Sequence, residues 1–276
     1  MIPLVLETIL TTLVPLGKGK GKRRSKIFPW VDDQPTEDDL NHIMKQTNDE
    51  FDILKLKDSM IHDLRQGKAS LVTKSGPYAK VLAIVYPETV IPWDMFGAIF
   101  TAFGKPKGNV WRIVWFANRT KRHLPPMLHE PGPEHVNGGY TFPCNTQTIV
   151  IYREEEVCRV LVHELLHASC TDNPSLDIID QEAATETWAE LFLVAICARG
   201  NRSKAAELWK KQMQWISDQE YVLRTNHNVN TRKSYAWRYT VARRHVLEDL
   251  KIELPIQSAN PIGTVGNSMR FTHAGV

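Results

Sequence analysis

The 276-residue chain is poor in cysteine, close to charge balance and without a long hydrophobic run, and each shortage removes a class of protein. Its four cysteines, Cys144, Cys158, Cys170 and Cys197, show no paired spacing. Cys158 and Cys170 stand 12 residues apart on one expected helix, about 18 Å, too far for a mutual bond. A reducing, intracellular setting, cytoplasmic or nuclear, is therefore expected. No segment repeats at 20–50 residues, which excludes solenoids and propellers. The most apolar stretch, Ile2–Leu16, contains Glu7, Pro3 and Pro15 and is too short to cross ~30 Å of hydrocarbon. Basic residues follow it rather than precede it, and no small-residue cleavage site is evident, so a secretory signal does not fit.

The net charge of +3 hides an uneven layout. Lys18, Lys20, Lys22, Arg23, Arg24 and Lys26 crowd together with Gly19 and Gly21, and the stretch from Asp32 to Asp63 is acidic. Residues 1–30 thus read as an apolar then basic flexible arm. Its default is a solvated tail; residues 18–26 would otherwise touch nucleic acid or an anionic membrane, with Ile2–Leu16 as a peripheral interfacial helix. Residues 31–254 form the expected domain, and 255–276, rich in Gly, Ser and Asn, a loosely ordered tail.

Against this background one pentapeptide stands out: His163-Glu164-Leu165-Leu166-His167, an HExxH sequence inside an apolar run. On a helix, residues i and i+4 lie about 40° apart around the axis and about 6 Å apart along it. Both imidazoles then project from one face and can bind one Zn²⁺, while Glu164 emerges beside the first and can take a proton from water that the metal acidifies. Neutral imidazole binds a borderline metal without cancelling its charge, and a carboxylate shuttles protons near neutral pH. The bland alternative is a satisfied histidine pair. Val160, Leu161, Val162 and Ala168 around the motif argue against it, since ionisable groups on a buried helix are costly unless paired or metal-bound.

A zinc peptidase needs a third protein ligand. Downstream, Glu182, Glu186 and Glu190 fall at i, i+4 and i+8, and their segment runs on into apolar Leu191–Cys197. A solvated acidic stripe is the plain reading, but a buried helix would make its carboxylates seek a cation. Here the chain resembles the gluzincins, zincin metallopeptidases whose HExxH is followed by a glutamate ligand on the next helix. The 18 residues between His167 and Glu186 match the aminopeptidase branch of that clan. The resemblance covers roughly residues 136–200 and implies Glu186 as the metal ligand, with Glu190 orienting a histidine ligand. Glu182, after 14 intervening residues, is the rival ligand. A metzincin would need a third histidine soon after the motif; none appears before His227.

Upstream, Thr148–Arg153 reads as a strand feeding the metal helix, with Asn109–Ala117 and Val81–Tyr86 as two more. Three acids, Glu154–Glu156, suit a helix start. Zincins place an edge strand beside the cleft; Gly138–Thr141 takes that role, or is an ordinary Gly-Gly turn. His123, His129 and His135 sit in a Pro-rich loop and receive no ligand role. Past the site, Gly200–Ser203 stops one helix and caps the next, Ala205–Ile216 continues it, and Ser234 opens a last long helix ending near Leu250. Tyr235, ahead of Tyr239 and His227, is the candidate donor to a developing oxyanion.

The expected architecture is α+β and zincin-like: a mixed sheet from residues 80–152 packed on the metal helix, with a helical C-terminal half. The expected activity is zinc-dependent hydrolysis of a peptide or protein substrate. His163, His167 and Glu186 bind the metal, Glu164 serves as general base and acid, and Tyr235 assists. The rivals are an inactive zinc-binding scaffold and a nucleic-acid-associated protein acting through its basic arm.

Overall fold

Three apolar segments set the architecture. β3 (Ala79–Val85), β4 (Trp111–Phe116) and β6 (Ile149–Ile151) are buried almost throughout and pair in parallel, β4 between the other two. Strands covered on both faces read as continuous hydrophobic runs rather than alternating ones. Flanking them are antiparallel strands: β1 (Val31–Asp32) and β2 (Ser70–Ser75) on one side, β5 (Gly139–Thr141) on the other. The resulting mixed sheet has the order β1-β2-β3-β4-β6-β5. The computed structural model describes residues 2–13, 28–47 and 51–273.

The helices are, in chain order, α1 (Leu4–Leu13), α2 (Glu37–Lys45), α3 (Leu56–Arg65), α4 (Trp93–Phe103), α5 (Pro133–Val136), α6 (Val157–Ala168), α7 (Ile178–Ala198), α8 (Arg202–Asn226), α9 (Arg243–Asp249) and α10 (Pro261–Val265). The chain is thus α+β, and it divides into two compact units.

The sheet unit takes the described part of 19–121 together with Asn137–Thr171. One sheet face packs Leu82, Ile84, Val114 and Phe116 against Met60 and Ile61 of α3. α6 lies on β5 and β6 with α4 beside it. The sheet is mixed, as expected, but takes in residues 31–75 as well as 80–152. β2 escapes a search for apolar runs because in its sequence, SLVTKS, only Leu71 and Val72 are apolar. α6 begins after Glu156, whose φ of 59° is left-handed, so the three acids precede the helix rather than occupying its first turn. It ends at Ser169, with Cys170 left-handed beyond it at φ 59°.

The helical unit holds the N-terminal helix, Arg122–Val136 and the chain from Asp172 on. Asp177 caps α7 by accepting from the backbone N–H groups of Ile179 and Asp180, and Asn201 caps α8 by accepting from Lys204. Three expectations are corrected here. The apolar N-terminal segment is not part of a flexible arm: α1 buries Leu6, Ile9 and Leu10 in one core with Leu191 and Val194 of α7 and Trp209 of α8. The C-terminal tail is not loose, since Met269 and Phe271 are buried and the carbonyls of Phe271 and Arg270 accept from Gln212 and Gln219 of α8. Nor is the last helix long. A 3₁₀ turn, Tyr235–Tyr239, is broken at Thr240 (φ −130°, ψ −78°) before α9 starts. In each case long-range apolar contacts override the local composition. The basic cluster Lys18–Lys26 lies outside the described residues.

Candidate metal centre

α6 brings its two histidines together without help from any other element. The Nε2 atoms of His163 and His167 are 3.2 Å apart, with ring centroids 4.8 Å apart at 75°. His163, Glu164 and His167 are all buried, between Val160, Leu161, Val162, Leu165 and Leu166. Two imidazole nitrogens converging at this separation ask for a shared proton or a cation.

β5 approaches the carboxylate between them. A Cβ on Gly139 would stand 2.7 Å from Val160 Cγ1, 2.8 Å from the Val150 carbonyl oxygen and 3.1 Å from Glu164 Oε1. Glycine is required there because no side chain fits between the strand and the helix. The Tyr152 N–H donates to the Gly138 carbonyl at 2.8 Å. Bonded pairs alternate along an antiparallel ladder, so the peptide groups of Gly139 and Thr141 point away from β6. The expected edge position is the one observed: β5 ends the sheet.

α7 carries its glutamates into different surroundings. Glu182 is half-buried, while Glu186 and Glu190 are buried. Glu190, the residue expected to orient a histidine, is ion-paired with the buried Arg243. The Arg243 guanidinium also donates to Gln219 Oε1 at 2.7 Å and to the Thr240 carbonyl at 3.0 Å. Sequence reasoning missed Arg243, which lies 53 residues away and belongs to no motif. Glu182 is the glutamate nearest the start of α7. Two imidazoles and a carboxylate are a donor set that suits zinc. Glu186, the expected third ligand, stands one turn further along α7.

The two tyrosines of the 3₁₀ turn are neighbours, with hydroxyls 3.5 Å apart and ring centroids 5.5 Å apart. Arg238 lies over both rings, 5.2 and 5.9 Å from their centroids. Burial, and then the negative charge of Glu182, push the Tyr239 hydroxyl well above the ordinary tyrosine range. It stays a protonated donor. His227 is buried with Nδ1 3.2 Å from the His129 carbonyl oxygen, and burial lowers its pKa. His123 Nδ1 lies 3.4 Å from the Asn267 carbonyl oxygen, and His135 lies 3.0 Å from Glu134.

The cysteine expectation is overturned. Cys144 and Cys170 form a disulfide across 26 residues, with Cys158 and Cys197 outside it. Spacing along one helix says nothing about a turn that folds back onto the end of that helix. The expectation of a reducing compartment rests on the absence of pairs and loses that premise. Among the described residues, no helix is long and apolar enough to cross a membrane. Set beside known proteins, the chain matches no family model, no curated protein and no solved structure.

Proposed function

We propose that the chain is a zinc-dependent peptidase with a zincin-like site of the gluzincin type. The observation that carries this reading is the convergence of His163 and His167 at 3.2 Å on one buried helix, with Glu164 between them in sequence. Glu186 is the carboxylate assigned to complete the metal set, on the 18 residues that separate it from His167. Glu182, one turn earlier, is the competing donor. Bound there, zinc supplies a Lewis acid that makes water a nucleophile near neutral pH.

The chain's own groups supply the remainder. Glu164 accepts the proton of the attacking water and returns it to the leaving amine. The outward peptide groups of Gly139 and Thr141 pair with an extended substrate, adding a strand to the sheet. That arrangement lays the substrate backbone along the strand that touches Glu164. A tyrosine of the 3₁₀ turn, Tyr235 on sequence grounds, donates to the oxyanion that develops on the scissile carbonyl.

Metal content and peptide hydrolysis, measured together on wild type and Glu164→Gln, test the reading. The expected result is a zinc-loaded protein that cleaves peptides and a variant that keeps zinc but not turnover. Zinc without turnover in the wild type would leave the inactive scaffold; no zinc at all would sink the assignment.

A further inference from the structure

We propose that the Cys144–Cys170 disulfide positions His167 and thereby couples the metal site to thiol redox state; this rests on reading His163 and His167 as metal ligands. The last carbonyls of a helix lack intrahelical partners and must find others. At the end of α6, the carbonyl of His167 accepts two hydrogen bonds, from the N–H of Cys170 at 3.1 Å and from the N–H of Cys144 at 3.0 Å. Those two donors are the two residues joined by the disulfide. The covalent bond and the two hydrogen bonds thus close on the peptide of one histidine.

The other end of the clasp is firm. Cys144 lies in the turn between β5 and β6, where Asn145 Oδ1 accepts from the backbone N–H groups of Gln147 and Thr148 at 2.9 and 3.1 Å. The Asn145 N–H donates to the Phe142 carbonyl at 2.9 Å. That turn belongs to the hairpin carrying Gly139, so the disulfide fixes the His167 end of α6 to the strand that touches Glu164. Both cysteines take left-handed backbone conformations, at φ 62° and 59°. Such conformations are unfavourable for residues with a Cβ and persist where the surroundings over-determine them. Both residues are exposed, so a soluble thiol can reach the bond.

Reduction by a dithiol breaks the S–S bond. Two electrons and two protons pass from the reductant, which becomes a disulfide, and Cys144 and Cys170 become thiols. The His167 turn then keeps only hydrogen bonds that exchange with water. Linkage makes the coupling reciprocal: if the oxidised form binds zinc tenfold more tightly, zinc must lower the reduction potential of the pair by about 30 mV. A disulfide that merely stabilises the fold would have the same potential with and without metal.

The test uses the full chain in two measurements. Zinc affinity is titrated against a competing chelator for the oxidised protein and for protein reduced with a phosphine. The oxidised fraction is then followed by thiol alkylation across glutathione buffers, with and without saturating zinc. We expect two alkylatable thiols before reduction and four after it, at least tenfold weaker zinc binding when reduced, and a potential lowered by zinc. The double variant Cys144→Ser/Cys170→Ser should bind zinc like the reduced protein and ignore the buffer, while Cys158→Ser should keep the coupling. Equal zinc affinity in both forms, or a potential unmoved by zinc, overturns the clasp and leaves the metal reading standing. Failure of the oxidised protein to take up zinc, or uptake unaffected by His163→Ala, overturns both.

Discussion

α6 and α7 are both buried, both apolar over most of their surface and both carry ionisable side chains inward, yet they are specified differently. α6 concentrates two histidines and a glutamate in five consecutive residues, and helix geometry alone brings the imidazole nitrogens to 3.2 Å. α7 spreads three chemically identical glutamates along one face over about 12 Å, and its own geometry cannot tell them apart. Their neighbours do. Glu190 receives Arg243, Glu182 sits where its charge is felt by Tyr239, and Glu186 is buried between them. A motif within one helical turn carries its own geometry, whereas a ladder of equal residues acquires its roles from what packs on each rung.

The sharpest way to probe this contrast is Glu164→Gln. Loss of the basic carboxylate should lower peptide hydrolysis about 10²–10⁴-fold with zinc content unchanged; equal turnover would remove Glu164 from the mechanism. Next comes Arg243→Met, which leaves the buried Glu190 without its partner. It should cost about 3–5 kcal/mol in urea unfolding, and a loss below about 1 kcal/mol would mean that another cation replaces Arg243.

The rungs are then separated by Glu182→Ala and Glu186→Ala, titrated with zinc against a chelator. Removing the ligand should weaken zinc by more than the 10–100-fold typical of residues that only support a ligand. With Glu186 as ligand, Glu186→Ala is the larger loss; the reverse order would move the ligand one turn earlier, to Glu182. The smallest effect belongs to Ile9→Val, which trims the α1 core packed on α7. A cost of about 0.5–1.5 kcal/mol is expected, and no change in stability would return the N-terminal segment to the status of a loose arm.

How much of this was legible in advance follows the same division. The three central strands were visible as strands because burial on both faces writes an unbroken apolar run; that they pair in parallel was not visible. β2 was not, because a strand with lysine and serine on one side resembles a loop. A stop and a new cap within Gly200–Ser203 were legible because both act through their own backbone neighbours, and the structure gives the cap to Asn201.

The sequence by itself determined the histidine pair and its glutamate, the three central strands of the sheet and the helical character of the chain from 180 to 250. Each depends on periodicity within one element, which a linear pattern records. Only the tertiary structure decided that Arg243 meets Glu190, that the two ends of the described chain are packed, and that Cys144 finds Cys170. These are meetings between residues 26 to 53 positions apart or more. They depend on where long-range burial folds the chain back, and no local spacing encodes that.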